Sequence, residues 1–415
     1  VLLVADGADR EVGRIVSGLL SRYTIVLAGF VAAVVAVAAF GGWNWYRPGE
    51  ASVLRDVSLD QVYRRLDAQH PGRGVTDYPG NTVEDVPKAY ASVLLAEISR
   101  ASRRIRGDLP NLADVAGKWL LANSRLDENG VVGWGVPVAW DAYGDGSVNP
   151  VNTSYAISTG IVVDALLTWM EASATAPAGE IRAVTEQALA AYADPMVRTA
   201  SGLIPYSLRP SDRAYDTFNS AAYIAGQMQR FASYASSPEI ADLLKSAADA
   251  TMASLIAHHQ ESPGGAWFWK YSLQENVAND LAHASYIVEG IQTYVREGGA
   301  LNKEIATSAV SQHLEEFGGN DGTLRGWPTF QDNIDAPARL YDVGMALVLG
   351  CNSGPHEKLE EQAKKTAPLH RTDQGFSRYP VGVDDPDLIV KEYETYLWRG
   401  MVACAPRLPW SEWKP

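Results

Sequence analysis

The sequence predicts an all-α domain built as a closed double ring of six helix pairs, and two observations carry that prediction. The first is a recurring tyrosine in six helix-like stretches rich in small residues. Tyr90, Tyr155, Tyr223, Tyr286, Tyr341 and Tyr396 follow one another at spacings of 65, 68, 63, 55 and 55 residues. A repeat of that length holds about two helices and a loop. The second is alternation: five more polar stretches lie between the tyrosine stretches and a sixth precedes the first, with apolar residues every three to four positions and charges between them. That pattern marks helices exposed on one face, whereas the charge-poor tyrosine stretches suit helices packed on nearly all sides. An open helical solenoid would share the alternation. Six pairs, however, use up the chain without remainder, which favours closure.

Four segments follow in order. Residues 1–22 form a short N-terminal segment expected in the cytoplasm. Residues 23–46 contain no charged side chain, and the run IVLAGFVAAVVAVAAF is long enough to span about 30 Å of hydrocarbon. Trp43, Trp45 and Tyr46 stand where an aromatic interfacial belt would, and no convincing small-residue cleavage site follows. The segment therefore reads as a retained transmembrane anchor. Residues 47–83 read as a tether with one helix, DQVYRRLDAQH from Asp60. Residues 84–415 are the ring, placed outside the cytoplasm, in the periplasm or at the cell surface.

Within the ring, the tyrosine helices are PKAYASVLLAEI, TSYAISTGIVVDALL, SAAYIAGQMQRF, HASYIVEGIQTY, ARLYDVGMALVLG and YETYLWRGMVAC. Their polar counterparts begin at Asp60, Leu112, Gly179, Pro238, Asn302 and Glu357. A net charge of −14 argues against non-specific nucleic-acid binding, and no phosphate-cradling glycine motif is present. Cys351 and Cys404, the two cysteines, fall eight to ten residues after a repeat tyrosine, so they end adjacent ring helices at equivalent levels. Buried thiols are the default reading, a disulfide follows if the domain is exported, and no cofactor or metal is expected.

Every long connection leads into a tyrosine helix. Each starts near a glycine, runs through aromatics in a short strand-like piece and ends in Asp, Asn or Glu. Short β-hairpins at one mouth follow, with the inner-helix N-termini gathered around it. A single acid before a helix is more often a cap than a catalyst, which applies to Asp216, Asp280, Asp335 and Glu392. Likewise Trp134, Trp267 and Trp327 could simply cover the core. Their joint placement at one mouth points instead to a cleft where aromatic faces stack on sugar rings and carboxylates or amides hold hydroxyls.

The most distinctive cluster is Glu275, Asn276, Asn279, Asp280, His283 and Tyr286. Asp280, His283 and Tyr286 are three apart and share one helical face. A carboxylate beside an imidazole favours its protonated form, a proton donor or a neutraliser of a sugar carboxylate. The alternative is a core histidine bonded to its own helix. Lys270, Arg209, Arg213, Arg325, Arg339 and Arg378 bring positive charge to the same loops of an otherwise acidic chain.

A ring of six helix pairs with aromatic loops on one face resembles the (α/α)6-toroid carbohydrate-active enzymes. That superfamily includes glycoside hydrolases, polysaccharide lyases and the C-terminal part of glucuronyl C5-epimerases. WKYSLQENVANDLAHASYIVEGIQTY from Trp269 is similar to the epimerase stretch in which Tyr and Glu precede an inner helix, and ARLYD from Ala338 resembles a later Arg–Tyr pair. The resemblance implies a membrane-anchored enzyme on an acidic, uronate-containing polysaccharide, of C5-epimerase or lyase type, in a glycan synthesis or export system.

Abstracting a C5 proton needs a base and a group that stabilises the charge developing on the carboxylate. Tyr271, Glu275, Asp280, His283 and Tyr341 are the catalytic candidates. Trp134, Asp216, Trp267, Lys270, Asn276, Trp327, Arg339 and Glu394 are the substrate-binding ones. A glycoside hydrolase would need two carboxylates across the bond, drawn from Asp216, Asp280, Glu275, Asp342 and Glu394. A non-catalytic glycan-binding scaffold is the third reading.

Overall fold

The computed structural model describes residues 62–63, 65–103, 111–128, 130–302, 313–331, 334, 336–352, 356–383 and 388–405. All belong to one compact unit, Asp56–Pro415. The predicted anchor at 23–46, the segment before it, most of the tether helix and Asp335 lie outside the described residues. Among the described residues no helix is long and apolar enough to cross a membrane.

Six helices carry the tyrosine stretches: α1 (Pro87–Ser102), α3 (Ala156–Ala172), α5 (Phe218–Phe231), α7 (Leu281–Arg296), α8 (Leu340–Asn352) and α10 (Lys391–Cys404). Each packs on the next in that order, and α10 packs back on α1, so the inner ring closes. Four outer helices are described: α2 (Leu112–Ala122), α4 (Ala178–Ala193), α6 (Pro238–Ala257) and α9 (Glu357–Thr366). The first two each lean on two neighbouring inner helices, while α6 packs on α5 and α9 on α8. Of the predicted outer helix from Asn302, residues 303–312 are not described, and His313–Phe317 is a 3-10 turn.

The inner helices approach closely because small residues face each other. A Cβ on Gly290 would lie 2.3 Å from the Ala222 carbonyl oxygen, and one on Gly400 would lie 2.6 Å from that of Gly344. All six repeat tyrosines are buried, Tyr155 immediately before α3 and the others within their helices. Four of them meet on the ring axis. Tyr286 packs edge-on to Tyr223 and Tyr341, and its hydroxyl lies 2.8 Å from that of Tyr396. These rings floor the mouth.

Deeper on the axis, Arg399 donates to Glu289 at 3.1 Å, and Arg230 bridges Asp164 and Glu171. Farthest from the mouth, a disulfide joins Cys351 to Cys404, with their Cα atoms 5.1 Å apart. The default expectation of free thiols is thereby corrected: adjacent inner helices end level with each other, which puts the two side chains in bridging range. Glu360 stands beside the two sulfurs, but a bridged pair offers no thiolate to a metal.

Three antiparallel hairpins are described: β1 (Arg73–Val75) with β2 (Val83–Asp85), β3 (Arg125–Leu126) with β4 (Val132–Gly133), and β5 (Gln260–Glu261) with β6 (Trp267–Phe268). The loops are stitched to the ring in a repeating way. The first backbone N–H of α3, α5, α7 and α8 has no partner inside its own helix. Those of Ala156, Phe218, Leu281 and Leu340 donate instead to the carbonyls of Tyr206, Tyr271, Gly326 and Arg378, at 2.8, 3.2, 2.9 and 2.9 Å. Each acceptor belongs to the loop that enters the next inner helix. At the start of α1 the position is filled by Pro87, which has no N–H to satisfy.

Candidate active site

The first turns of the inner helices surround one space. Lys88 is the second residue of α1, His283 the third of α7, Tyr341 and Asp342 the second and third of α8, and Glu392 the second of α10. Tyr271 stands among them: Glu275, Asp280, Lys88 and Asp212 all act electrostatically on its hydroxyl, and burial pushes its pKa up. A phenol so placed stays protonated at neutral pH.

Asp280 caps α7, its Oδ1 accepting the His283 backbone N–H at 3.0 Å. The same oxygen lies 2.8 Å from His283 Nδ1, and Arg339 donates to Oδ2 at 2.8 Å. One side chain is therefore both the helix cap and the partner of the imidazole. Burial would raise its pKa, but Arg339 and His283 more than reverse this and hold it well below the usual carboxylate range. Arg339 also binds the fully buried Asp342, which accepts the Ala282 backbone N–H at 3.0 Å.

With Nδ1 held, His283 keeps Nε2 without a protein partner among the described residues, and its side chain is 28% exposed. Tyr271 stands edge-on to the imidazole at 5.0 Å. Lys88 pairs with Glu392 at 2.7 Å. Burial alone would lower the Lys88 ammonium, and Glu392 more than offsets that, leaving it above its ordinary value. The Tyr396 hydroxyl is pushed up to about 12, first by burial and then by Glu392.

One wall is aromatic. Trp140 makes edge contacts with Tyr78, Tyr155 and Tyr206, and Tyr143 stacks on Tyr215 at 3.8 Å. Burial raises the Tyr78 pKa, and the charges of Glu392 and Asp77 add to it, which sets this wall near the first turn of α10. Opposite, Tyr341 stacks on Tyr393, whose hydroxyl donates to Asp77, itself paired with Arg378 at 2.7 Å.

The sequence candidates divide accordingly. Tyr271, Asp280, His283, Arg339 and Tyr341 come together. Glu275 is exposed near Tyr271, and Lys270 reaches Asn276 at 3.1 Å on the exposed rim. Trp134 does not face the mouth: it is 1% exposed and its indole N–H donates to the Leu120 carbonyl at 2.9 Å. Trp269 does the same to Leu255 at 2.8 Å, and both pairs are 14 residues apart. These tryptophans bond carbonyls in the last turns of α2 and α6, that of Leu255 also accepting the His258 backbone N–H at 3.2 Å. Trp267 stacks on His259 beside the third hairpin, and Trp327 is half-buried next to the Gly326 carbonyl that caps α7. Asp216 accepts from Ser201, and Glu394 is held by Arg65 and Lys391, two residues around α10 from Glu392.

Lys88, Tyr78, Trp140 and Tyr206 are cleft residues that the sequence did not single out. The signal for Lys88 was available as a lone cation in the first turn of a charge-poor helix. Lys88, Arg339 and Arg378 each have a carboxylate partner, whereas Lys270 meets the Asn276 amide oxygen.

No protein-family model and no curated protein matches the chain in sequence. Solved structures match it in fold. A cellobiose 2-epimerase from Bacillus thermoamylovorans is 12% identical with a TM-score of 0.54, over 85% of this chain and 97% of that one. An α-mannanase of Bacteroides thetaiotaomicron is 9% identical with a TM-score of 0.55, over 85% and 96%. A polysaccharide lyase is 11% identical with a TM-score of 0.53, over 85% and 96%. The fold is that of the α/α-toroid carbohydrate-active enzymes.

Proposed function

We propose that the ring domain is a carbohydrate-active enzyme that moves protons at a sugar carbon, an epimerase or lyase acting on a uronate-containing polysaccharide. The observation that carries this is the Asp280–His283 pair, with a free imidazole nitrogen aimed into an aromatic cleft beside Tyr271. His283 Nε2 takes the proton from the carbon next to the sugar carboxylate. Asp280 fixes the imidazole and stabilises the charge it gains. Lys88 offsets the charge that develops on the carboxylate. Tyr271 returns a proton, to the opposite face of that carbon in an epimerase or to the leaving oxygen in a lyase.

The pairing of Lys88, Arg339 and Arg378 with carboxylates favours a second reading. A neutral oligosaccharide whose own reducing-end carbonyl acidifies the neighbouring C–H needs no cation, and an epimerase of that substrate type is among the structural neighbours. The disulfide supports a domain outside the cytoplasm, consistent with an anchor at 23–46.

Incubation in deuterated water separates these readings. Deuterium gained at C5 of a uronate polymer without chain cleavage marks the epimerase, and a new unsaturated end group marks the lyase. Deuterium gained at C2 of a neutral reducing oligosaccharide marks the second reading. A new reducing end alone would mark a glycoside hydrolase, and glycan binding with none of these changes a scaffold.

A further inference from the structure

Outside the ring mouth, a cavity of about 270 Å³ opens between the second hairpin strand, the C-terminal end of α2 and the 130–155 loop. Its lining includes Glu84, Asp85, Trp119, Asn123, Arg125 and Asn152. Two of these are committed: Asp85 accepts from Tyr90 at 2.6 Å and from Arg73 at 2.8 Å, and Asn123 bonds the Trp119 carbonyl and Arg125. Three polar groups are unspent. The Glu84 carboxylate, the Asn152 side-chain amide and the Trp119 indole N–H have no partner among the described residues. One face of Trp119 is stacked on Tyr90 at 3.9 Å, so its other face and its edge are what it offers. Val151 lines the opening and is more than half accessible, and the exposed Val83 and Leu126 are next in sequence to Glu84 and Arg125 of the lining.

We infer that this cavity is a second glycan-binding site, holding one neutral pyranose unit of the polymer that occupies the cleft. The inference rests on the carbohydrate reading above. An acceptor, an amide and an indole N–H around an indole face and an apolar rim match a ring with an apolar face and a hydroxyl edge. The size is just below the usual range for small-molecule sites, about 300–1,000 Å³, which limits the occupant to a single ring. Asp85 is neutralised by Arg73, and the unpartnered Glu84 carboxylate in the wall disfavours a uronate here. Lys88 lies one residue beyond Pro87 of the cavity wall, and Trp140 and Asn152 share one loop. One chain can thus meet both sites.

The test uses the full chain in four forms: His283→Ala, and His283→Ala combined with Val151→Trp, Trp119→Phe or Glu84→Gln. Saturation-transfer NMR with methyl glucoside and methyl glucuronide reads binding without turnover. Val151→Trp, which plugs the opening, is expected to weaken methyl glucoside at least tenfold. Trp119→Phe keeps the stack on Tyr90 while removing the N–H, and Glu84→Gln removes the charge, so threefold or greater losses are expected from each. Methyl glucuronide, which the cleft binds, should change less than twofold in the same double variants. Unchanged glucoside affinity in all three double variants, or equal losses for the two sugars, overturns the site. Val151→Trp alone should raise KM for polymer several-fold and leave kcat/KM for a disaccharide unchanged. If no glycan is turned over but the binding losses appear, the catalytic reading fails and the site stands.

Discussion

The ring axis carries two arginine–carboxylate networks, and they differ in what they leave open. At the mouth, Arg339 satisfies Asp280 and Asp342, and His283 Nε2, on a part-exposed side chain, has no partner among the described residues. Six residues farther along α7, about 9 Å at the helical rise, Glu289 meets Arg399. Here the unfilled positions are Glu289 Oε2 and Arg399 Nη1, both buried. Burial pushes Glu289 up, against the pull of Arg399, whereas Asp280 is held down. Burying charge is common to both. What distinguishes the mouth is an ordered titratable group with room for a reactant next to it.

The sharpest way to break this comparison is to remove one titratable group from each network. His283→Ala should lower turnover between about 10² and 10⁴, with the thermal midpoint little changed, while Glu289→Gln should leave turnover at the wild-type level. Tyr341→Phe tests the sequence expectation that Tyr341 moves protons. Buried against Tyr393 and Tyr396, it should lose little activity, and a loss as large as that of His283→Ala would move it into the catalytic group.

Next in size is stability. Arg399→Leu strands a buried carboxylate and should cost about 3–5 kcal/mol in urea denaturation, and adding Glu289→Leu should recover most of it. Equal losses in the single and double variants would mean that the pair is not coupled. The disulfide sits at the same deep end. Reducing it, or changing both Cys351 and Cys404 to Ser, should cost about 2–4 kcal/mol without altering kcat at a temperature where the fold persists.

The smallest effect is the pH dependence, and its sign differs between the networks. Asp280 has a depressed folded pKa. Its contribution is present above the ordinary carboxylate value near 4 and is lost as pH falls through the folded value. Glu289 has a raised folded pKa, so its contribution is present below the ordinary value and lost as pH rises through the folded one. Asp280→Asn should flatten the acid limb of stability against pH, and Glu289→Gln should flatten the limb just above it. Each change is at most one proton, about 1.4 kcal/mol per pH unit.

The inner helices were legible because packing on all sides leaves a compositional mark: small residues, few charges and one large tyrosine per repeat. Asp280 and His283 were legible because three-residue spacing on a helix is itself a contact. Lys88 and Glu392 were not seen as a pair, since closing a ring joins residues 304 apart in sequence. Trp134 was misleading for a related reason. A tryptophan near a glycine in a loop has the same local sequence whether it stacks on a sugar or bonds an outer-helix carbonyl, and only the position of Leu120 decides.

The stitched rim has a consequence for how such a mouth can change. Each loop meets the helix end it serves through a backbone carbonyl, at Tyr206, Tyr271, Gly326 or Arg378, and a carbonyl is common to every residue type. Side chains with no bond of their own to the ring, unlike that of Trp269, are therefore free to vary, and residues can be inserted beyond the anchor, while the helix end it serves stays satisfied. New specificity can then be acquired one loop at a time, on a frame that does not register the exchange.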